Sequence, residues 1–253
     1  GYNCVYKNKK KSFIEKNLGI TNFSYFLTEK NYSQKLPNKK VLVIDEAHNL
    51  ENELSRFIEI SISEYFCNKI LMMKIPKDLN TQFKVYKWIK DEYLSCVSKK
   101  LSNIESSLEK MGISSQKLQE FQKITKHLEM LNSHLTKIKQ FVSIYEKDNW
   151  VFDIDNSTDY LKFVFKPIDV SHYAKDYLLQ FADYIIFMSA TIISHEGFSL
   201  TLGLPFDKTI SIKEDSPFPV ENRPIIFTPA GSMSYKYIDK TLPDMVKMIN
   251  KII

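Results

Sequence analysis

Apolar residues recur along this chain in two periods, and the change from one to the other divides it. Val41-Leu42-Val43-Ile44 is an unbroken apolar run behind the turn-like Pro37-Asn38-Lys39-Lys40. A short β-branched run of this kind predicts a strand buried on both faces, as in a parallel sheet. Tyr184-Ile185-Ile186-Phe187-Met188 is a second such run. Pro224-Ile225-Ile226-Phe227-Thr228 is a third, with its proline at the first position, where a strand tolerates a missing N–H. Between the first two runs the period lengthens. Leu94, Val97, Leu101, Ile104, Leu108 and Met111 recur at spacings of three and four. Phe121, Ile124, Leu128, Leu131, Leu135, Ile138, Val142 and Tyr145 do the same. Two heptad series predict two helices packed along an apolar seam. Gly112 follows the first series as a C-cap, and Ser114 or Ser115 can N-cap the second, so an antiparallel hairpin with its tip near residues 112–115 is expected.

Weaker patterns fill the rest. A helical stretch is expected from about residue 49 to residue 75, stopping before Pro76. Trp150-Val151-Phe152-Asp153-Ile154 and Leu161-Lys162-Phe163-Val164-Phe165 flank the turn-rich Asp155-Asn156-Ser157-Thr158 and predict a β-hairpin. Residues 172–183 read as helical and feed the second apolar run. Pro217, Pro219 and Pro224 mark residues 216–224 as a linker, and residues 236–253 read as a final amphipathic helix.

Composition adds bounds. The 253 residues are 43% hydrophobic and 26% charged, enough for a real core. No apolar stretch approaches the roughly 18 residues that a membrane span needs. With no signal-like segment at the start, a soluble intracellular protein, cytoplasmic or nuclear, is expected, with no membrane partner. The three cysteines, Cys4, Cys67 and Cys96, lie far apart, form no CxxC pair and suit a reducing compartment. The net charge of +5 is carried almost wholly by lysine, since Arg56 and Arg223 are the only arginines. In residues 1–40, Lys7, Lys9, Lys10, Lys11, Lys16, Lys30, Lys35, Lys39 and Lys40 face only Glu15 and Glu29. Such a segment either tracks a phosphate backbone or is a solvated lysine surface.

Candidate chemistry sits at the ends of the apolar runs. Asp45-Glu46-Ala47-His48 follows the first run directly. Parallel sheets bind ligands beyond the carboxyl ends of their strands. An acidic pair there suits Mg²⁺, which takes few protein carboxylates and keeps water and phosphate oxygens. Asp45 would hold the ion, and Glu46 would orient and deprotonate an attacking water. An Asp-Glu pair alone would equally cap a helix and complement its dipole. The full tetrad behind four apolar residues favours the nucleotide reading. Ser189-Ala190-Thr191 follows the second run, where two hydroxyls either cap a helix or bond a neighbouring acidic strand tip.

Asp45-Glu46-Ala47-His48 with Asn49-Leu50, and then Ser189-Ala190-Thr191, resembles motifs II and III of superfamily 2 helicases, and more narrowly the XPD/DinG group. Ile20-Thr21-Asn22-Phe23-Ser24-Tyr25-Phe26-Leu27 resembles that group's segment before the DEAH box, and Pro167-Ile168-Asp169-Val170 its stretch before motif III. Ser216-Pro217-Phe218-Pro219 with Glu221-Asn222-Arg223-Pro224 resembles its lead into a second RecA-like domain. The helical insertion between motifs II and III is similar to the group's arch.

The resemblance implies an α/β fold, a RecA-like parallel sheet of the P-loop NTPase type interrupted by a helical arch or coiled-coil hairpin. Residues 1–54 and 150–206 would belong to the first RecA-like domain, 55–149 to the arch, and 207–253 to the linker and the start of a second domain. It implies an ATP-dependent DNA helicase, using ATP and Mg²⁺ and moving 5′ to 3′ on single-stranded or forked DNA in repair or replication. Asp45, Glu46, His48, Ser189 and Thr191 would carry catalysis, with Asp45 and Glu46 at the nucleotide. Asn22, Phe23 and Tyr25 would contact the strand, although the aromatic residues are equally candidates for core. Lys99 and Lys117 would contact it from a hairpin face that also carries Lys100, Lys110, Lys123 and Lys126; a heptad stripe itself more often means packing.

Cys4, in Cys4-Val5-Tyr6-Lys7, resembles the group's last iron–sulfur ligand, but such clusters need four ligands, so one is expected only in a longer parent chain. Read alone, Cys4 is equally an idle cysteine. The chain departs from the group in having no GxxxxGK[ST] and none of the second domain's motifs. A central piece of a helicase, inactive alone, is therefore expected. Two alternatives stay open: a motor that remodels nucleoprotein or degrades single strands, and a non-catalytic nucleic-acid-binding or interaction module.

Overall fold

The computed structural model describes residues 4–33, 36–110, 118–157, 159–217, 219–222 and 227–252. Two sheets organise the larger compact unit, residues 1–210. In the first, β1 (Lys39–Ile44) and β5 (Ala182–Phe187) pair in parallel, with Val41 opposite Tyr184 and Ile44 opposite Phe187. The fold is therefore mixed α/β with a parallel pair, compatible with a RecA-like sheet.

The strands are not buried on both faces. Leu42, Ile44, Ile185 and Phe187 join the core, whereas Val41, Val43, Tyr184 and Ile186 are 46%, 53%, 63% and 49% exposed. Apolar composition alone led to the expectation of two covered faces; among the described residues only one face has a covering layer.

The second sheet is antiparallel, in the order β2 (Ile60–Ser63), β4 (Lys162–Pro167), β3 (Trp150–Asp155). β3 and β4 form the expected hairpin, with Phe152 opposite Phe165 and Ile154 opposite Phe163. The expected helix over residues 49–75 is corrected. Helix α3 (Leu50–Ile58) ends where Glu59 turns to ψ 134°, and β2 follows. Ile60 and Ile62, both 1% exposed, place a period-two pair opposite Phe165 and Phe163, and that burial outweighs helix continuation. A π-turn over Phe66–Leu71 then ends at Met72, which takes a left-handed φ of 55°.

The hairpin helices follow. Thr81 Oγ1 accepts from Lys84 N and caps α4 (Gln82–Trp88). A π-turn over Ile89–Tyr93 joins α4 to α5 (Leu94–Lys110), and α6 (Leu118–Ile144) returns. Tyr86 stacks on Tyr145 at 3.8 Å, and seven residues further on Tyr93 OH lies 2.8 Å from His134 Nε2, so the two runs are antiparallel. Val97 and Leu101 of one heptad series and Leu131, Leu135 and Ile138 of the other are buried. The expected tip, with Met111, Gly112, Ser114, Ser115 and Lys117, lies outside the described residues. The base of α6 packs on the antiparallel sheet: the Phe141 ring lies 4.9 Å from Trp150 and 5.0 Å from Phe165.

Before β1 come α1 (Val5–Glu15), α2 (Phe23–Thr28) and a π-turn over Glu29–Ser33. Before β5 come α7 (Ser171–Tyr177) and a 3-10 turn over Leu179–Phe181, and after it α8 (His195–Thr201). Residues 211–253 form a separate unit whose regular elements, among the described residues, are a 3-10 turn over Val220–Asn222 and α9 (Ile238–Ile252), the expected amphipathic helix. Of the third expected strand, residues 224–226 lie outside the described residues, and Phe227 and Thr228 are in irregular backbone. Among the described residues no helix is long and apolar enough to cross a membrane.

Candidate functional site

The carboxyl ends of β1 and β5 are tied together beyond the strands. Met188 N donates to Ile44 O at 2.8 Å, and Ala47 N donates to Met188 O at 2.9 Å. Ala47 is fully buried between the two chain segments, which leaves the residues on either side of it to project outward. Glu46 turns the backbone through a left-handed φ of 51°. That conformation costs a non-glycine residue about 1–2 kcal/mol. Glu46 N donates to Asp45 Oδ1 at 2.9 Å, which holds the Asp45 carboxylate at the strand tip.

His48 sits in the 3-10 turn over Ala47–Asn49. Its Nδ1 lies 2.9 Å from Ser189 Oγ and 3.2 Å from Glu46 Oε2. Ser189 Oγ in turn accepts from Thr191 N at 3.1 Å and lies 3.3 Å from Thr191 Oγ1. A chain of polar contacts thus runs Glu46, His48, Ser189, Thr191 across two parallel strands. With a proton on Nδ1, His48 donates to Glu46 or Ser189; without one, it accepts from the Ser189 hydroxyl. The imidazole therefore contacts both the carboxylate beside it and a hydroxyl after β5. The five residues expected to carry catalysis, Asp45, Glu46, His48, Ser189 and Thr191, lie together here, exposed or half-buried.

Metal-binding capacity follows from the donors. Among the described residues no group of three or more His, Cys, Asp and Glu side chains is set to hold an ion. The strand tips offer hard carboxylate oxygens from Asp45 and Glu46, which suit Mg²⁺ shared with phosphate and water. Cys4 is exposed at the N-cap of α1, Cys67 is buried and Cys96 half-buried, and Cys4 belongs to no metal-holding group among the described residues.

The residues expected at a nucleic acid are spread over several elements. Asn22 Oδ1 accepts from Tyr25 N at 2.8 Å and caps α2. Phe23 packs partly into the core, and Lys10 Nζ lies 5.7 Å from the centre of the Tyr25 ring. Lys99 is exposed on α5. Lys117 lies outside the described residues. Two lysines of the basic segment are neither solvated nor exposed to a strand. Lys10 pairs with Glu29 at 2.5 Å, and Lys30 is 6% exposed. Lysine composition gave no sign of this, because burial depends on where the turn at Glu29–Ser33 places each side chain, Lys30 reaching Leu36 O at 3.1 Å.

Residues 2–66 match the DEAD_2 family model. The matched segment holds β1 and the Asp45-Glu46-Ala47-His48 tetrad and stops before β5. It supports a helicase-family region, and with it helicase-related, ATP-dependent function and nucleic-acid binding at the family level. No curated protein matches the chain.

Proposed function

We propose that this chain is part of an XPD/DinG-like DNA helicase motor that hydrolyses ATP to move 5′ to 3′ along single-stranded or forked DNA, in repair or replication. The observation that carries the reading is the 2.9 Å contact between His48 Nδ1 and Ser189 Oγ. It joins two motifs 141 residues apart at the tips of adjacent parallel strands, where α/β sheets bind ligands.

In this reading Asp45 holds Mg²⁺ and Glu46 orients the attacking water and takes its proton. Bound Mg²⁺ supplies charge neutralisation at the phosphates. His48 reports the state of Glu46 to Ser189 and Thr191, which couple hydrolysis to movement on the strand. Asn22, Phe23, Tyr25, Lys99 and Lys117 contribute to strand binding. The phosphate-cradling loop comes from outside residues 1–253, and the open apolar face of β1 and β5 supports a further layer there. Cys4, exposed, serves as one ligand of an iron–sulfur cluster whose remaining ligands also lie outside this chain.

Residues 1–54 and 150–206 contribute to one RecA-like domain and 55–149 to an arch. β2 pairs with β4, so the base of that arch shares its sheet with β3 and β4. Residues 207–253 lead into a second domain.

The test is single-stranded-DNA-stimulated ATPase activity of the full-length parent, with and without Glu46→Gln. Hydrolysis is expected to collapse by about 10²–10⁴-fold, the usual contribution of a general base, while ATP binding survives. Turnover indifferent to Glu46, or no stimulation by DNA, would leave the tetrad as a structural strand cap.

A further inference from the structure

We draw no further inference here: the strongest candidate, the exposed apolar face of β1 and β5 formed by Val41, Val43, Tyr184 and Ile186, carries none, because nothing in the structure shows what covers it.

Discussion

The two sheets of this protein are finished to different degrees. The antiparallel sheet β2-β4-β3 is closed on its apolar face, where Ile60, Ile62, Phe163 and Phe165 are at most 1% exposed, and turns a mainly polar face, with Ser61, Asp153 and Lys166, to solvent. The parallel pair β1-β5 is open, with one face in the core and Val41, Val43, Tyr184 and Ile186 in solvent. The five residues expected to carry catalysis, Asp45, Glu46, His48, Ser189 and Thr191, follow directly on the strands of the open sheet. Both sheets have edge strands, but only the parallel pair turns an apolar face outward, the kind of surface that further structure covers. The difference separates a part whose apolar side chains are buried from a part that keeps an apolar face uncovered among the described residues.

The comparison can be broken most severely at the strand tips. Glu46 is exposed, with a side chain 66% accessible and no buried contact to lose. Glu46→Gln should leave thermal stability of the chain within about 0.5 kcal/mol while removing about 10²–10⁴-fold of parent ATPase activity. Phe141→Ala should show the reverse. That ring is 1% exposed and touches Tyr86, Tyr145, Trp150 and Phe165. Its loss should cost about 3–5 kcal/mol in denaturant unfolding. A Phe141→Ala cost near zero would show that the closed sheet is not the stability core.

Much of this division was legible in the residues. Heptads at 94–111 and 121–145 marked the hairpin helices because both repeat for several turns. The alternation in 150–165 marked β3 and β4. Asp45-Glu46-Ala47-His48 behind an apolar run located the strand tip, where the structure sets Ser189 Oγ 2.9 Å from His48 Nδ1. What could not be read depends on partners distant in sequence. Ile60-Ser61-Ile62-Ser63 alternates too briefly to outvote helical neighbours, and only pairing with Phe163 and Phe165 reveals it as a strand. An apolar run states that a face prefers cover, not that cover is present, so the exposure of Val43 and Ile186 was invisible. Lys30 looked like any surface lysine, and the left-handed Glu46 carries no compositional sign.

A titration should separate the parts next. His134 lies in the closed region, bonded to Tyr93 OH at 2.8 Å and beside the Phe66 ring. Burial, and then the Lys137 charge, lower its pKa from 6.5 to about 4. Between those values the unfolded chain binds a proton that the native chain does not, so stability falls as the pH falls. The stabilising contribution is full above pH 6.5 and is lost progressively as the pH drops toward about 4. From pH 7.5 to pH 5 this amounts to about 2 kcal/mol. Urea unfolding at the two pH values should show that slope, and His134→Gln should flatten it. An equal slope in the variant would place the acid sensitivity elsewhere, with the carboxylates of the open part as the next suspects.

The smallest effect is expected on the open face itself, and its size depends on what covers that face. Ile186 is 49% exposed beside Val43. In the chain alone, Ile186→Thr retains a β-branched residue suited to a strand and removes little buried area, so unfolding should change by no more than about 0.5 kcal/mol. In the full-length parent the same substitution places a hydroxyl against a covering layer and should cost about 1.5–3 kcal/mol, the range for burying one aliphatic side chain. Measured side by side, the two values read the cover directly. A large loss in the chain alone would mean that the face is already packed. A negligible loss in the parent would mean that the sheet stays open there, and that the strand tips are positioned by β1, β5 and their one buried face alone.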